Sequence, residues 1–161
     1  MPKIALQISA NLENVTNLQP VGDDFRWYLK LKCSNCGEQP DHWQYVTLDE
    51  KHEIQGSRGS AHVVEKCKLC SRQNTMEIVK DSFGAYLIEK NREFQKMIVF
   101  DCRGLEPTDF DPRIGWMAQS TESATVFSDI DLGEKEWCDY DDKASVPVEI
   151  NEWKHRFVIA R

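Results

Sequence analysis

No stretch of this 161-residue chain approaches the ~18 consecutive apolar residues that a membrane-spanning helix needs. The opening MPKIALQISANLENV alternates and brings in polar residues too early for a secretory signal, and FVIAR at 157–161 holds no lipidation box. Helical periodicity is nearly missing. AYLIEKNREFQK (85–96) is the one short helix candidate, weighed against an irregular linker. A basic excess is missing as well, for the formal net charge is −7. A chain this acidic repels phosphate backbones and anionic headgroups, so the partner is expected to be neither nucleic acid nor membrane. GSRGS (56–60) lacks the lysine and spacing of a phosphate loop and reads as a flexible turn, and 129–142 lacks the ligand spacing of a calcium loop. These absences point to a cytoplasmic chain with nuclear access by diffusion, where thiols stay reduced and paired cysteines bind metal more often than they form disulfides.

What is present is strand-period alternation. Ile4, Leu6, Ile8, Ala10 and Leu12 share one face, and Phe25, Trp27, Leu29 and Leu31 repeat the pattern against Arg26, Lys30 and Lys32. WQYVTL (43–48), HVVEK (62–66), TMEIV (75–79), KMIVFDC (96–102) and VEINEWKHRFVI (148–159) are further strand candidates, rich in β-branched and aromatic residues. GLEPTDFDPRIG (104–115) reads as a long ordered loop because of its Pro, Asp and Gly. At 161 residues, one compact unit (1–161) can bury roughly 70% of its extended-chain surface and needs no staple to fold. TNLQP (16–20) and RGLEP (103–107) echo each other after a strand candidate. The echo is read either as coincidence or as the trace of a duplicated β unit, with pseudo-repeat halves 1–84 and 92–161.

The chemistry lies in the cysteines. CSNC (33–36) and CKLC (67–70) are two C-x-x-C turns. Zinc takes four ligands at tetrahedral corners, and two cysteines two residues apart can supply two corners from one tight turn. Gly37 follows the first pair and can take a positive φ, which lets backbone N–H groups point at the sulfurs. Ser71 stands where the second turn would be more comfortable with glycine. Lys32, Lys66 and Lys68 flank the pairs and favour thiolates. A structural four-cysteine zinc site is the leading reading. Redox-active pairs, an iron–sulfur centre and disulfides are the alternatives. PDHWQYV after the first pair lacks the helix that would lower a redox thiol's pKa.

The remaining candidates have bland readings. Cys102 and Cys138 are most simply small buried hydrophobes. His42 and His62, near the two pairs, could substitute as ligands or support them, but with four cysteines to hand they read, like His52 and His155, as surface or strand histidines. DIDLGEKEWCDYDD (129–142) reads as a solvated acidic loop, or else as a docking surface with Trp137 and Tyr140 as aromatic anchors.

KIALQ, LENVTNLQPVGDDFRWYLKLKCSNCGE, WQYV, GSRGSAHVVEKCKLC, CRGLEPTDF, FSDIDLGEKEW and DYDDKA together resemble the eukaryotic CXXC-motif-containing zinc-binding proteins. The resemblance covers residues 3 to about 144. It implies an all-β fold of two related sandwich-like lobes, with Cys33, Cys36, Cys67 and Cys70 holding one zinc per chain in the N-terminal half. It brings no catalytic residues.

The expectation is therefore a monomeric zinc protein that is not an enzyme and that binds another protein. A metal-handling or thiol-redox role with exchangeable zinc-thiolates is the alternative. Elemental analysis after gel filtration should find one zinc per chain, and Cys33→Ser should lower it. Metal-free protein, or unchanged zinc in that variant, would refute the site.

Overall fold

A computed structural model describes residues 2–160, and fourteen strands form among them. In chain order they are β1 (Lys3–Glu13), β2 (Val15–Pro20), β3 (Trp27–Cys33), β4 (Gln44–Val46), β5 (His52–Glu53), β6 (Ser60–Ala61), β7 (Val63–Lys66), β8 (Gln73–Ile78), β9 (Gln95–Arg103), β10 (Leu105–Asp111), β11 (Trp116–Ser120), β12 (Val126–Ile130), β13 (Trp137–Asp141) and β14 (Val146–Ala160). Seven of them, β1, β3, β4, β7, β8, β9 and β14, stand at the strand candidates read from the sequence. The one helical element among the described residues is a 3-10 turn, Ile88–Lys90. The fold is all-β.

A six-stranded antiparallel sheet, β13-β14-β1-β9-β8-β7, forms the spine. Two three-stranded sheets, β10-β3-β4 and β12-β11-β2, lie beside it, and β5 and β6 form a separate hairpin. The spine's order reads the same from either end if β1, β8 and β7 are exchanged for β9, β14 and β13. The exchange of β2, β11 and β12 for β10, β3 and β4 likewise turns one small sheet into the other.

Period-two patterning decides which faces are buried. Trp27, Leu29, Leu31 and Cys33 of β3 point inward while Tyr28, Lys30 and Lys32 are half-exposed. Phe25 joins this inner set from just before the strand, as its alternation implied. β1 and β9 sit at the centre of the spine, and so Leu6, Ile8, Ala10 and Leu12 meet Met97, Ile98, Phe100 and Cys102 in one core. Between the small sheets the core is aromatic. Trp116 meets Phe25, Trp27 and Trp153 edge-on at ring separations of 5.3, 6.2 and 5.8 Å, the offset arrangement that aromatic quadrupoles favour. The Trp116 indole N–H donates to the Pro112 carbonyl at 2.9 Å, so this ring's own polar atom is paired.

Two expectations are corrected and one open alternative is decided. Residues 105–111 are strand β10 rather than loop. This strand lies at the edge of its sheet, where Pro107 loses no ladder bond and the aspartates stay partly exposed, so turn-forming residues are tolerated. Of the two readings of 85–96, the irregular linker holds for 85–94, broken by the 3-10 turn Ile88–Lys90, and Gln95 and Lys96 open β9; side chains take the bonds a helix would use. Gln95 accepts from the Leu87 N–H at 3.0 Å and donates to the Leu87 carbonyl at 3.0 Å, while Asn91 accepts from the Leu12 N–H at 2.8 Å. Buried Tyr86 donates its hydroxyl to the Glu93 carbonyl at 2.7 Å and accepts from the Ala10 N–H of β1 at 3.1 Å, which pins the linker to the spine. The acidic segment 129–142 is not wholly a loop either, for it includes β13.

Trp116→Ala should cost about 3–5 kcal/mol of folding stability, the usual range for emptying a buried aromatic site. Urea denaturation would measure the loss, and a loss below 1 kcal/mol would contradict this account of the core.

Candidate metal centre

Each cysteine pair caps a strand in the same way. At the end of β3 the Cys33 N–H donates to the Glu38 carbonyl at 2.8 Å, and the Gly37 N–H donates to the Cys33 carbonyl at 2.8 Å. After β7 the Cys67 N–H donates to the Arg72 carbonyl and the Ser71 N–H to the Cys67 carbonyl, both at 2.9 Å. The turns close through left-handed residues at matching places, Gly37 at φ 82° and Ser71 at φ 64°. Glycine adopts this conformation freely and serine with strain.

Gly104 ties the two turns together. Its carbonyl accepts from the Ser34 N–H at 2.9 Å, and it bridges to Thr75 at the start of the chain's path back from the second turn. A side chain at Gly104 would collide with Asn74 Oδ1. Asn74, almost wholly buried, donates its Nδ2 to Cys33 Sγ at 3.3 Å, and Asn35 donates to Cys70 Sγ at 3.5 Å. Asn35, Asn74 and Gly104 were not singled out from the sequence. Only the Gly104 positive φ, 92°, has a sequence signal, in the glycine itself.

The four sulfurs of Cys33, Cys36, Cys67 and Cys70 lie within 4.8 Å of one another. Cys36 and Cys67 are 3.6 Å apart and Cys33 and Cys70 3.8 Å. A tetrahedron with zinc–sulfur arms of ~2.3 Å has edges of ~3.8 Å, so the quartet fits zinc. A disulfide needs ~2.05 Å, and all four thiols are free. Four thiolates fill the tetrahedral shell and leave no position for an activated water. Cys33 is buried, Cys67 and Cys70 are half-buried, and Cys36 is exposed.

Proton affinities differ sharply across the quartet. The Cys36 and Asn35 N–H groups and the Asn74 amide, outweighing burial, bring the Cys33 thiol down to about 6. The Glu38 N–H draws Cys36 down, but desolvation of its sulfur and the hydrogen bonds its S–H donates to Cys67, Cys70 and Cys33 outweigh it and push that thiol up to about 12. Cys70 is lowered, chiefly by Asn35 and the Arg72 N–H. Lys32 pairs with Glu106 at 3.4 Å instead of meeting a sulfur.

None of the histidines joins the quartet. His42 lines a groove of about 370 Å³ beside it, with Leu31, Gln44, Glu65 and Leu105. His62 is buried and its Nδ1 accepts from the Ile78 N–H at 2.9 Å; burial pushes its pKa down. His52 is exposed in β5, and His155 faces Asp109 at 3.2 Å. Cys102 is buried, as expected, and desolvation raises its thiol to about 12. Cys138 is exposed, against expectation, because it faces outward from β13 at the edge of the spine. Trp137 packs on Phe127 at 5.4 Å, whereas Tyr140 is exposed. Asp141, unlike its acidic neighbours, is fully buried. No helix among the described residues is long and apolar enough to cross a membrane.

An all-β scaffold that gathers two C-x-x-C turns into one four-sulfur cluster defines a thiolate metal-site protein. The chain belongs to the eukaryotic CXXC motif containing zinc binding protein family, which it matches over residues 5–158. It is 55% identical to the CXXC motif containing zinc binding protein of Homo sapiens, over 98% of this chain and 99% of that one. It is also 55% identical to the UPF0587 protein F46B6.12 of Caenorhabditis elegans, over 100% and 97%. The crystal structure of C1orf123 superposes with a TM-score of 0.93 at 54% identity, covering 98% of this chain and 99% of that one. A hypothetical protein from Plasmodium falciparum keeps the fold at 26% identity, with a TM-score of 0.87 and 98% and 100% coverage.

Zinc must displace the Cys36 proton at neutral pH, whereas Cys33 is already largely ionised. Loading should therefore release protons, and affinity should fall further as pH drops through about 6, where Cys33 also protonates. A pH-indicator titration and chelator competition between pH 8 and 5.5 would check both. A pH-independent affinity would contradict thiolate ligation.

Proposed function

We propose that this chain holds one zinc ion through Cys33, Cys36, Cys67 and Cys70, and that the zinc serves structure rather than catalysis. The metal fixes two turns whose outer surface is a docking site for another protein in the cytoplasm. One observation carries the docking reading: Leu69, between the ligands of the second turn, is 66% exposed. A large apolar side chain at the tip of a rigid turn is a natural anchor for a partner's pocket.

The groove next to the cluster and the outer face of β3 and β4 extend the same surface. On that face Arg26 covers Tyr45 at 4.4 Å, Lys30 covers Trp43 at 5.0 Å and Arg113 covers Tyr28 at 3.7 Å. Stacked aromatic and cationic side chains are ordered before binding, so less side-chain entropy is lost when a partner arrives. The exposure of Cys36 favours a second reading, in which the zinc exchanges with an acceptor.

Leu69→Asp should keep the zinc and the fold while lowering partner recovery at least fivefold in quantitative affinity purification. Cys67→Ser with Cys70→Ser should lose both. Partner recovery unchanged by Leu69→Asp would detach the turn from binding. Complete zinc transfer to a competing chelator within seconds at neutral pH would favour the exchange reading instead.

A further inference from the structure

From the strand-for-strand exchange that relates the two small sheets and the two ends of the spine, we infer that Ser120, Ser123, Asp141 and Ala144 occupy the positions that correspond to Cys33, Cys36, Cys67 and Cys70, a second locus whose turns the Asp141 carboxylate closes in place of a metal.

Strand register supplies the equivalence. On the first small sheet Cys33 opposes Leu105 and Lys32 opposes Glu106; after a bulge, Lys30 opposes Asp109 and Leu29 opposes Phe110. On the second, Ser120 opposes Val15 and Gln119 opposes Thr16; after a bulge, Met117 opposes Gln19 and Trp116 opposes Pro20. The pairs match step for step, bulge included. Cys33 thus corresponds to Ser120, and Leu105 to Val15.

The spine repeats the match. Val63, Val64, Glu65 and Lys66 oppose Met76, Thr75, Asn74 and Gln73. Trp137, Cys138, Asp139 and Tyr140 oppose Ile150, Glu149, Val148 and Pro147. One step further, the Cys67 N–H bonds the Arg72 carbonyl where Asp141 pairs with Val146. Cys67 therefore corresponds to Asp141.

The turns agree as well. The Ser120 N–H donates to the Thr125 carbonyl at 2.9 Å, as the Cys33 N–H does to Glu38. The Thr121 N–H donates to the Asn14 carbonyl at 3.0 Å, as the Ser34 N–H does to Gly104. Asn14 (φ 60°) and Gly104 (φ 92°) are both left-handed, and so are Ser145 (φ 57°) and Ser71 (φ 64°). S-x-x-S at 120–123 thereby lies on C-x-x-C at 33–36, and D-x-x-A at 141–144 on C-x-x-C at 67–70.

Oxygen chemistry replaces the metal. Ser120 and Ser123 donate their hydroxyls to Asp141 Oδ2, the latter at 2.6 Å. Thr125 Oγ1 donates to Oδ1 at 3.1 Å, with the Lys143 and Ala144 N–H groups at 3.1 and 3.3 Å. A buried carboxylate needs such donors to remain ionised. These hydrogen bonds hold Asp141 at about 2, well below an ordinary aspartate. Both turns are joined through one anion, as the first two are joined through four sulfurs. TNLQP and RGLEP do not take part in this equivalence, since the ladders align Leu105 with Val15 and not with Leu18.

The test places four cysteines at the second locus of the full chain, Ser120→Cys, Ser123→Cys, Asp141→Cys and Ala144→Cys, and titrates the apoprotein with cobalt(II). Two tetrathiolate cobalt centres per chain are expected, against one in wild type, read from thiolate charge-transfer and d–d absorption. Uptake equal to wild type in a folded variant, or failure to fold even with excess zinc, would overturn the equivalence. Asp141→Ala alone should leave zinc content unchanged while amide hydrogen exchange speeds up at least tenfold in residues 120–125 and 142–146. Unchanged protection there would overturn the closing role of Asp141.

Discussion

Four thiolates within 4.8 Å of one another cannot all keep their charge unaided. Two unit charges ~3.8 Å apart repel by about 4 kcal/mol even at an effective dielectric constant near 20. Without a cation the cluster must hold protons, and the high proton affinity of Cys36 beside the low one of Cys33 is that compromise. A dication removes the need for it. The turns, the Gly104 contact between them and the exposed Leu69 then have one fixed arrangement.

The scaffold brings this about by pairing rather than by local sequence. β3 and β7 belong to different sheets, and their ends meet because β9 passes directly into β10 at Gly104. β9 is bonded to β8 on the second turn's side, and β10 is bonded to β3 on the first turn's side. One continuous segment thus clamps both cysteine turns. The same construction recurs at Asn14, where β1 passes into β2. There the turns close on Asp141, which shows two chemical solutions to one geometric demand: a metal among sulfurs, or a carboxylate among hydroxyls and amides.

Much of the first site was legible because its signals are local. C-x-x-C spacing, Gly37 after the first pair and the awkward Ser71 after the second all correspond to backbone the chain adopts. Strand alternation was equally legible wherever one face is buried, as in β3. β10 was missed because an edge strand tolerates the Pro and Asp that elsewhere mark a loop. The segment 85–96 was ambiguous because the bonds of its linker part, 85–94, come from Tyr86, Asn91 and Gln95 side chains, which periodicity does not register. Asp141 was lost among exposed neighbours, since burial of one carboxylate in an acidic run depends on Ser120, Ser123 and Thr125 arriving from another strand and turn.

Zinc K-edge X-ray absorption on the purified protein bears most directly on the central claim. Four sulfur scatterers at about 2.3 Å, with no nitrogen or oxygen in the first coordination sphere, are the predicted result. A shell containing a light-atom ligand, or zinc bound away from sulfur altogether, would contradict the account.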